Sequence, residues 1–542
     1  MNSEGHEASV ATLVLQDGDE SPPQTHHKAI IRLSPQEVSL ISTIQSAIEY
    51  LEKGMIPGYD PQLVVVRIAG GWVRDKLLGL STYDVDLAID ELSGVDFATV
   101  VQSYLRLTCP EEVHKVGVIA ANPSQSKHLE TATMVVMGLE CDFCNLRAQE
   151  IYSEDSRIPM TQFGTPLEDA QRRDFCLNAL FFNLKTKQVE DWTGRGMSDL
   201  LERKVIETPL DPFVTFHDDP LRVLRAIRFA IRFDYALGEE VRKASSSDTV
   251  HKALAIKVSR ERVGKELEGM ISGKGARPHD AMSLIGELGL SDSVFNLPLD
   301  MKIEGLLLEQ PYSLEGLSEG WRVARSYMRT VATVHATHKA HGQATSLLDK
   351  RIFALGAYLL PFRHLFYRDR KSKQISVVEF VMRESIKFKN KDVTGMTTLL
   401  DNVDSFVTLL EQDEPDRLSI GLLLGVTKAL WVSCLFLAAV VAQSIDEGQR
   451  LYSIIVDLKL DDSWNARPLF NGRDLIRALE LPKGPLIGIY LEEQVKWMLQ
   501  YPNGTRDECH EHLLLFKKKV DAKRRLVQEE NGEEFKRAHL GT

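Results

Sequence analysis

The sequence predicts an α+β fold, in which an N-terminal mixed β-sheet is followed by segments that are all α. Up to about residue 205, short β-branched and aromatic runs alternate with helix-like stretches, as at 116–119, 133–136 and 179–182. From about residue 206 onward, apolar residues recur at helical spacing and strand-like runs are few. We therefore expect a sheet-containing part first and helical layers after it.

Length, composition and charge indicate a globular chain of several domains. The 542 residues, of which 43% are hydrophobic and 26% charged, suit roughly three to four domains. The formal net charge of -12 argues against a surface that binds polyanions everywhere, but it allows a local basic groove. Six cysteines in so long a chain suggest a reducing compartment. Cys141 and Cys144 have no second pair at zinc-ribbon spacing, so we expect buried strand thiols.

Two segments bear on cellular location. Residues 1–28 are acidic and polar, resemble neither a signal peptide nor a mitochondrial presequence, and are expected to be disordered. The apolar run 429–442 is shorter than the roughly 20 residues that a membrane span needs. We interpret it as a buried core helix and expect no membrane association.

A strand, two glycines and a short helix form the first informative segment. The apolar run 63–66 predicts a buried strand that ends at Gly70 and Gly71. Because glycine has no Cβ, backbone amides can approach a triphosphate closely here. The spacing over 72–78 predicts a helix that Gly79 closes. No Gly-Lys-Ser/Thr follows, as a Walker loop requires, and the third glycine of a dinucleotide fingerprint is missing.

Two carboxylates, Asp84 and Asp86, follow on the next predicted strand. Side chains at i and i+2 of a strand point to the same face, so these two repel each other unless a cation lies between them. Carboxylate pairs suit Mg²⁺, which also binds phosphate oxygens. An Asp-x-Asp pair alone is also typical of a solvated strand edge. The preceding strand, glycines and helix favour the metal site over that alternative.

A second polar cluster lies at 171–179. Arg172 and Arg173 can hold phosphates bidentately, and Asp174 can accept a hydrogen bond from a ribose hydroxyl. A surface salt-bridge cluster is the alternative interpretation. Further along, the glycines of 191–200 suit a hinge between the sheet part and the helical part, or an ordinary loop.

The segment 217–230 contains a pair of residues that can read a nucleobase. Pro220 fits the first position of a helix, and a simple N-cap is therefore one interpretation of Asp219. Asp219 and Arg222 are also three residues apart, so both can face one ligand from the first turn. An aspartate accepts from an exocyclic amine, and an arginine donates to ring nitrogens and carbonyls. Such a pair admits cytosine and adenine and rejects uracil and guanine, which leave polar atoms unpaired.

Together these motifs resemble the class II CCA-adding enzymes (tRNA nucleotidyltransferases), particularly the eukaryotic form. The resemblance is dense from about 29 to 270 and weaker beyond, where 467–472 still fits. Related bacterial poly(A) polymerases share most of the motifs. The motifs occur in the family's order, at 70–75 with Asp84 and Asp86, then 172–175, 191–200, 219–222 and 259–267.

The resemblance implies four domains after the disordered segment 1–28. A nucleotidyltransferase head would span 29–205 and a helical neck that reads the nucleotide 206–290. A helical body would span 291–450, and a helical tail that contacts tRNA would span 451–542. The basic run 517–525 in the tail suits a phosphate backbone or a solvated helix face.

The resemblance also implies roles for individual residues. Asp84 and Asp86 would hold two Mg²⁺ ions, with Glu130 as first candidate and Asp142 as second candidate for a supporting third carboxylate. Asp174 would contact the ribose, and the base would be read without a nucleic-acid template. The residues expected to bind the nucleotide are Gly70, Gly71, Arg74, Arg173, Asp174, Asn178, Asp219, Arg222, Arg225 and Arg228.

The stretch 147–170 resembles the family's mobile loop, which is associated with the switch from C to A addition. Two residues depart from the family pattern: Asp218 stands where Glu is usual, and Cys176 where Thr is common. Neither change removes a metal ligand. The shorter Asp218 leaves its positioning role open.

The leading functional hypothesis is addition of C, C and A to tRNA 3′ ends from CTP and ATP, with release of pyrophosphate. The alternatives are a poly(A) polymerase, a partial CC- or A-adding enzyme, or a non-catalytic RNA-binding protein on the same scaffold. The expected location is cytoplasmic, with the nucleus and mitochondria as further options. The sequence leaves the oligomeric state open.

Overall fold

The computed structural model describes residues 31–82, 84–119, 131–147, 163–341 and 349–539, with backbone alone at 335, 337–341 and 523–539. The described chain divides into two compact units. The first comprises residues up to Arg277 together with Leu288–Val294. The second comprises Pro278–Glu287 together with the residues from Phe295 onward. The segment 1–28, which we expect to be disordered, lies outside the described residues, and the four domain boundaries remain a prediction.

A seven-stranded mixed sheet forms the centre of the first unit, with strand order β3-β4-β5-β2-β1-β6-β7. The pair β2 and β5 is parallel, and the other pairs of this sheet are antiparallel. The predicted α+β class and mixed sheet are therefore confirmed. The strands of the first unit are β1 Val66–Ala69, β2 Val85–Ile89, β3 Gly117–Ile119, β4 Thr131–Val136, β5 Leu139–Asn145, β6 Leu180–Asn183, β7 Gln188–Asp191, β8 Val205–Ile206 and β9 Ala236–Leu237.

Helices pack against this sheet and continue beyond it. Several begin with side-chain caps, as at Ser34, whose hydroxyl accepts from the Glu37 amide while the Glu37 carboxylate accepts from the Ser34 amide. The helices up to residue 294 are α1 Pro35–Glu52, α2 Gly71–Leu77, α3 Gly94–Thr108, α4 Pro166–Gln171, α5 Gly196–Ser198, α6 Pro212–Asp218, α7 Leu221–Phe233, α8 Glu239–Ser245, α9 Asp248–Lys257, α10 Arg260–Ser272, α11 Pro278–Glu287 and α12 Ser291–Val294.

The first predicted strand begins later than its apolar run indicates. Strand β1 starts at Val66, and Leu63 is 72% exposed. The pairing explains the difference, because Val66 lies opposite Ile89 and the chain before it has no strand partner at that edge. The helix after the glycines is confirmed within one residue, and Gly79 donates its amide to the Lys76 carbonyl just after that helix ends.

Helix α3 lies directly on strand β5. The Gly94 amide donates to Asn145 Oδ1 at 3.1 Å, and Asn145 Nδ2 donates to the Leu92 carbonyl. A Cβ at Gly94 would lie 2.2 Å from the Phe143 carbonyl oxygen, so only glycine permits this approach. The contact fixes β5 from the face of the sheet that α3 covers.

The second unit contains helices and a small sheet, so the prediction of an all-α body is wrong. Its antiparallel strands follow the order β11-β10-β12-β13. These strands have only 2–5 residues each, too few for an alternating pattern to stand out in the sequence. The strands are β10 Ile303–Leu307, β11 Gln310–Pro311, β12 Leu365–Arg368 and β13 Gln374–Ser376.

The helices of the second unit bury a large apolar core, and their last three form a separate apolar cluster around Tyr490 and Trp497. The segment 501–505 separates the final two helices. Besides α11, the helices are α13 Gly316–His341, α14 Lys350–Leu359, α15 Val377–Phe380, α16 Asn390–Asp401, α17 Val403–Leu410, α18 Arg417–Thr427, α19 Trp431–Val441, α20 Ile445–Asp457, α21 Gly472–Leu479, α22 Leu486–Gln500 and α23 Arg506–His539.

The apolar run near residue 430 is a core helix, as predicted. One helical stretch, Arg417–Val441, is long and apolar enough to cross a membrane by length and composition alone. Of its most apolar window, 67% is buried inside the protein. The stretch is interrupted at Lys428, which has a φ of 48°. Helix α19 beyond the interruption is buried on all sides from Trp431 to Val440.

Candidate active site

An arginine-rich cleft of about 520 Å³ opens in the first unit. Seven arginines and three aspartates line it, which gives the polyanion site that the acidic chain as a whole does not offer. The lining residues are Gly70, Gly71, Arg74, Asp86, Arg172, Arg173, Asp174, Asn178, Asp219, Arg222, Arg225, Arg228, Phe229 and Arg232. All ten residues that we expect to bind the nucleotide are among them. Of the two predicted metal ligands, Asp86 lines the cleft.

The predicted metal ligands lie at the start of β2. Asp84 immediately precedes the strand and Asp86 lies within it, and both are exposed while Val85 between them is buried. On the neighbouring parallel strand, Asp142 lies directly opposite Asp86. Partial burial, together with Asp142 and Asp84, raises the pKa of Asp86 against the opposing effect of Arg173. Partial burial and Asp84 also raise the pKa of Asp142.

These carboxylates fit a divalent cation. Burial and neighbouring negative charge together raise the pKa values of Asp86 and Asp142, and a bound cation would offset both effects. Within the described residues, no three His, Cys, Asp or Glu side chains form a closed metal-binding group. Mg²⁺ commonly binds one or two carboxylates and completes its shell with water and substrate phosphates. An open carboxylate face beside a phosphate cleft suits that mode.

The first candidate for the third carboxylate, Glu130, lies outside the described residues, as do residues 148–162 of the expected loop. The described ends of that loop pair at Arg147 and Phe163, and α4 follows them. Asp142, the second candidate, occupies the register position beside Asp86. The geometry of the described residues therefore supports Asp142.

Gly70 places the chain against Arg173. The residue has a φ of 66°, which favours glycine, and its amide donates to the Leu180 carbonyl. A Cβ there would lie 2.7 Å from Arg173 Nη1 and 3.3 Å from the Asn178 carbonyl oxygen. The Arg173 guanidinium also stacks on Phe181, 5.0 Å from the ring centroid. The missing side chain thus makes room for the Arg173 guanidinium, besides any role for the amides.

A buried hydrogen-bond network supports the floor of the cleft. Asn178 donates to Asp174 Oδ1 and accepts from Arg74 Nη1. The Arg74 guanidinium lies 5.0 Å from the ring centroids of both Phe229 and Phe233. These contacts use most of the hydrogen-bonding capacity of Arg74 and Asn178 within the protein. Their side chains therefore shape the cleft from below.

Asp174 joins the network to helix α7. Its Oδ2 accepts from Arg225 Nε at 2.7 Å, and Arg225 Nη2 lies 2.7 Å from the same oxygen. Its Oδ1 accepts from the Phe175 amide as well as from Asn178. Burial alone would raise the pKa of Asp174, but Arg225 and Asn178 hold it below its ordinary value. A carboxylate has about four acceptor sites, so a ribose hydroxyl would have to replace one of these donors.

Asp219 and Arg222 face the same cleft from the start of α7. Asp219 Oδ1 accepts from the Leu221 amide at 3.2 Å, but Pro220 occupies the N-cap position of α7, so Asp219 precedes the cap that the sequence indicated. Its Oδ2 accepts from Arg262 Nη2 at 2.9 Å. Arg222 donates to the Arg172 carbonyl at 2.7 Å through Nη2. The pair is therefore held in place by backbone and by a neighbouring charge before any ligand binds.

Sequence reasoning missed the acidic residues that hold the arginines. Glu266 accepts from Arg228 at 2.6 Å, and Asp75 accepts from Arg232 at 2.8 Å. Glu266 lies within the 259–267 motif and Asp75 within the 70–75 motif, but the sequence pattern does not show which arginine either residue pairs with. The helical spacing of four arginines on α7, at 222, 225, 228 and 232, was the available signal that several acidic partners were required.

The departures from the family pattern leave the site intact. Cys176 is fully buried, and burial raises the pKa of its thiol to about 12, so it packs as a small apolar group. Cys141 and Cys144 lie on β5 as predicted, and burial raises their pKa values to about 12 and about 11. Asp218 is exposed at the end of α6.

Comparison with known proteins finds relatives along most of the chain. The model of the Poly A polymerase head domain matches residues 66–207. The mitochondrial CCA tRNA nucleotidyltransferase of Candida glabrata is 33% identical over 491 residues, covering 83% of this chain and 90% of the relative. That of Saccharomyces cerevisiae is 33% identical over 494 residues, covering 84% and 88%.

Solved structures share the fold. The Thermotoga maritima CCA-adding enzyme complexed with tRNA matches with a TM-score of 0.59 at 19% identity, over 89% of this chain and 96% of that one. The Bacillus stearothermophilus CCA-adding enzyme in complex with CTP matches with a TM-score of 0.57 at 18% identity, over 91% and 100%.

Proposed function

This chain belongs to the family of CCA tRNA nucleotidyltransferases, and from that premise we infer that it adds C, C and A to the 3′ end of tRNA, using CTP and ATP without a template. The inference rests on one observation. Asp86, the cluster of arginines and the pair Asp219 and Arg222 all line the same cleft. Each feature serves one part of a nucleoside triphosphate.

The carboxylates hold the metal. We propose Mg²⁺, with Asp84 and Asp86 as its ligands; Asp142, in register with Asp86, suits the supporting third carboxylate, and Glu130 remains the other candidate. When bound, the ions activate the 3′-hydroxyl of tRNA and neutralise charge on the departing pyrophosphate. The raised pKa values of Asp86 and Asp142 fit a site that is incomplete without a cation.

The arginines and glycines hold the nucleotide. Arg173 lies over Gly70 beside the carboxylate face and suits the phosphates, since a guanidinium binds phosphate oxygens through a fork of N–H groups. Asp174 suits the ribose, provided that a hydroxyl replaces one of its present donors. Arg225 and Arg228 also line the cleft and add positive charge to it. Attraction to these arginines orients the triphosphate before the reaction.

The base is selected by Asp219 and Arg222. Asp219 accepts from the amino group of cytosine or adenine, and Arg222 donates to the adjacent ring acceptor. Uracil and guanine present a carbonyl and a ring N–H at these places, which leaves Asp219 and Arg222 unpaired. Arg262 keeps Asp219 oriented as an acceptor.

The two yeast relatives are named as mitochondrial proteins. We propose that the chain serves tRNA in mitochondria as well as in the cytoplasm, with the nucleus as a third compartment. Fractionation of cells that express the tagged chain, followed by immunoblotting, measures the distribution.

One incubation tests the function. The protein is mixed with a tRNA that lacks its terminal CCA, together with CTP, ATP and Mg²⁺, and the 3′ ends are sequenced. The expected product stops after CCA. A long A tract would instead identify a poly(A) polymerase, and addition of only CC or only A a partial enzyme. Bound but unextended tRNA would identify a non-catalytic RNA-binding protein.

A further inference from the structure

A buried carboxylate, Asp169, holds the two adjacent arginines of the cleft. The side chain of Asp169 is 2% exposed. Its Oδ1 lies 2.9 Å from Arg172 Nε and 2.8 Å from Arg172 Nη2. Its Oδ2 lies 2.9 Å from Arg173 Nε and 2.7 Å from Arg173 Nη2. One carboxylate therefore takes two N–H groups from each of two sequence neighbours.

This arrangement affects both the electrostatic repulsion between the two arginines and the freedom of their side chains. Two adjacent cations repel each other, and each has a long side chain with many rotamers. A single buried anion between them offsets the repulsion and fixes one orientation for both. Because each guanidinium presents its Nε edge to Asp169, its Nη1 group points away from that carboxylate. The Nη1 of Arg173 lies next to Gly70, at the floor of the cleft.

The effect of Asp169 extends to the segment that carries the arginines. The Arg172 carbonyl accepts from Arg222 Nη2 at 2.7 Å, and Arg173 Nη1 donates to the Asn178 carbonyl at 3.3 Å. Asp169 itself does not line the cleft. Its Oδ1 also accepts from the Arg147 amide at 3.3 Å, but its shorter contacts, of 2.7–2.9 Å, are all to Arg172 and Arg173, so we expect it to act on the cleft through the two arginines.

We propose that Asp169 is a positioning residue that orients Arg172 and Arg173 toward the phosphates of the incoming nucleotide. The proposal rests on the proposed function, because it assigns the phosphates of CTP and ATP to this part of the cleft. Both nucleotides carry the same triphosphate. Asp169 therefore affects the binding of CTP and ATP alike.

The test compares Asp169→Asn with Glu168→Gln. Asparagine is close to aspartate in shape but lacks the charge and one acceptor oxygen. Glu168 precedes Asp169 on the same helix, and its carboxylate contacts Thr165 instead of the arginines. Binding of inorganic tripolyphosphate is measured by calorimetry, and KM and kcat are measured with CTP and ATP. All measurements are made below the melting temperature of every variant.

We expect Asp169→Asn to weaken tripolyphosphate binding and to raise KM for both nucleotides by about tenfold or more, with a smaller effect on kcat. Glu168→Gln should stay within about twofold of the wild type. Equal tripolyphosphate binding by the two variants would overturn the proposal. Wild-type protein that binds tripolyphosphate but does not extend tRNA would instead count against the proposed function alone.

A second comparison keeps the proposal testable if Asp169→Asn fails to fold. Arg173→Lys keeps the charge beside Asp169 but loses the planar fork, so it should reproduce the loss of tripolyphosphate binding. In a background that carries Arg172→Met and Arg173→Met, Asp169→Asn should add no further loss, because the groups through which it acts are gone. Normal binding by Arg173→Lys, or a further loss in that background, would contradict the proposal.

Discussion

Asp86 on strand β2 lies directly opposite Asp142 on strand β5, in the parallel pair of the seven-stranded sheet. Residues in register on neighbouring strands have side chains on the same face, about 5 Å apart at Cβ. Asp84 precedes Asp86 by two residues, and Asp86 lines the arginine cleft. The register therefore determines the acidic side of the site as much as the Asp-x-Asp motif does.

Replacing either metal ligand should abolish nucleotide addition and leave the fold intact. We expect Asp84→Asn or Asp86→Asn to lower kcat by about a thousandfold or more, because the attacking and leaving oxygens lose their cation. The measurement is single-nucleotide incorporation over a range of Mg²⁺ concentrations. Glu111→Gln, at an exposed acid that does not line the cleft, is the control. Activity retained by either Asp variant would refute the assignment.

Asp142 and Glu130 are the two candidates for the third carboxylate. We expect Asp142→Asn to lower kcat by about ten- to a hundredfold and to raise the Mg²⁺ concentration for half-maximal activity, as for residues that support a metal site. The register beside Asp86 motivates this expectation. Glu130→Gln is measured in parallel, and a change of both quantities in that variant but not in Asp142→Asn would identify Glu130 as the third carboxylate.

Gly70 and Gly79 offer a comparison for testing the Arg173 site. Their φ values are 66° and 68°, so alanine is strained at both positions, and the ψ of -118° at Gly70 lies outside the left-handed helical region as well. A Cβ at Gly70 meets Arg173 at 2.7 Å, whereas a Cβ at Gly79 meets no atom within 4 Å. Gly70→Ala should raise KM for CTP and ATP by about tenfold. Gly79→Ala should leave KM unchanged, and equal KM values would rule out the steric argument.

Base choice should depend on three residues. Replacing Asp219 by Asn or Arg222 by Met should reduce discrimination against UTP and GTP by about 1–3 kcal/mol for each lost contact. Arg262→Gln should reduce it less, because Arg262 orients Asp219 without reading the base. Ratios of kcat/KM for the four nucleotides give the measurement. Unchanged ratios in the Asp219 and Arg222 variants would show that selection lies elsewhere.

Asp169 should also produce a pH dependence of stability. Burial would raise its pKa, but Arg173 and Arg172 lower it to about 2 in the folded protein. The ordinary value is about 3.9, so the ionised group stabilises the fold above that pH, and the contribution is lost as the pH falls toward 2. The free energy of unfolding of Asp169→Asn should be lower by about 2 kcal/mol at neutral pH. This difference should shrink below about pH 4, and a constant difference would contradict the ion-pair account.

The sequence predicted those parts of the fold and site that depend on local pattern. The helix after Gly70 and Gly71, the strand of Asp86 and the buried α19 follow from spacing and apolar runs. The face shared by Asp84 and Asp86 follows from strand geometry alone. These features could be read because each is set within about ten residues.

The remaining features depend on partners that are distant in sequence. The register between β2 and β5, 56 residues apart at Asp86 and Asp142, has no local signal. The acids that hold the arginines of α7 come from α2 and α10, as Asp75 and Glu266. The small sheet of the second unit was missed because its strands are too short to show alternation.

Gly94 shows how far from the substrate a defect in this enzyme can begin. Its missing side chain lets α3 rest on the Phe143 carbonyl, and Asp142 is the neighbouring residue on that strand. A methyl group at Gly94 would displace β5 from the face that α3 covers. We expect that displacement to change the orientation of Asp142 on the opposite face of the strand. The spacing of the proposed metal ligands thus depends on a buried contact on the far face of the sheet.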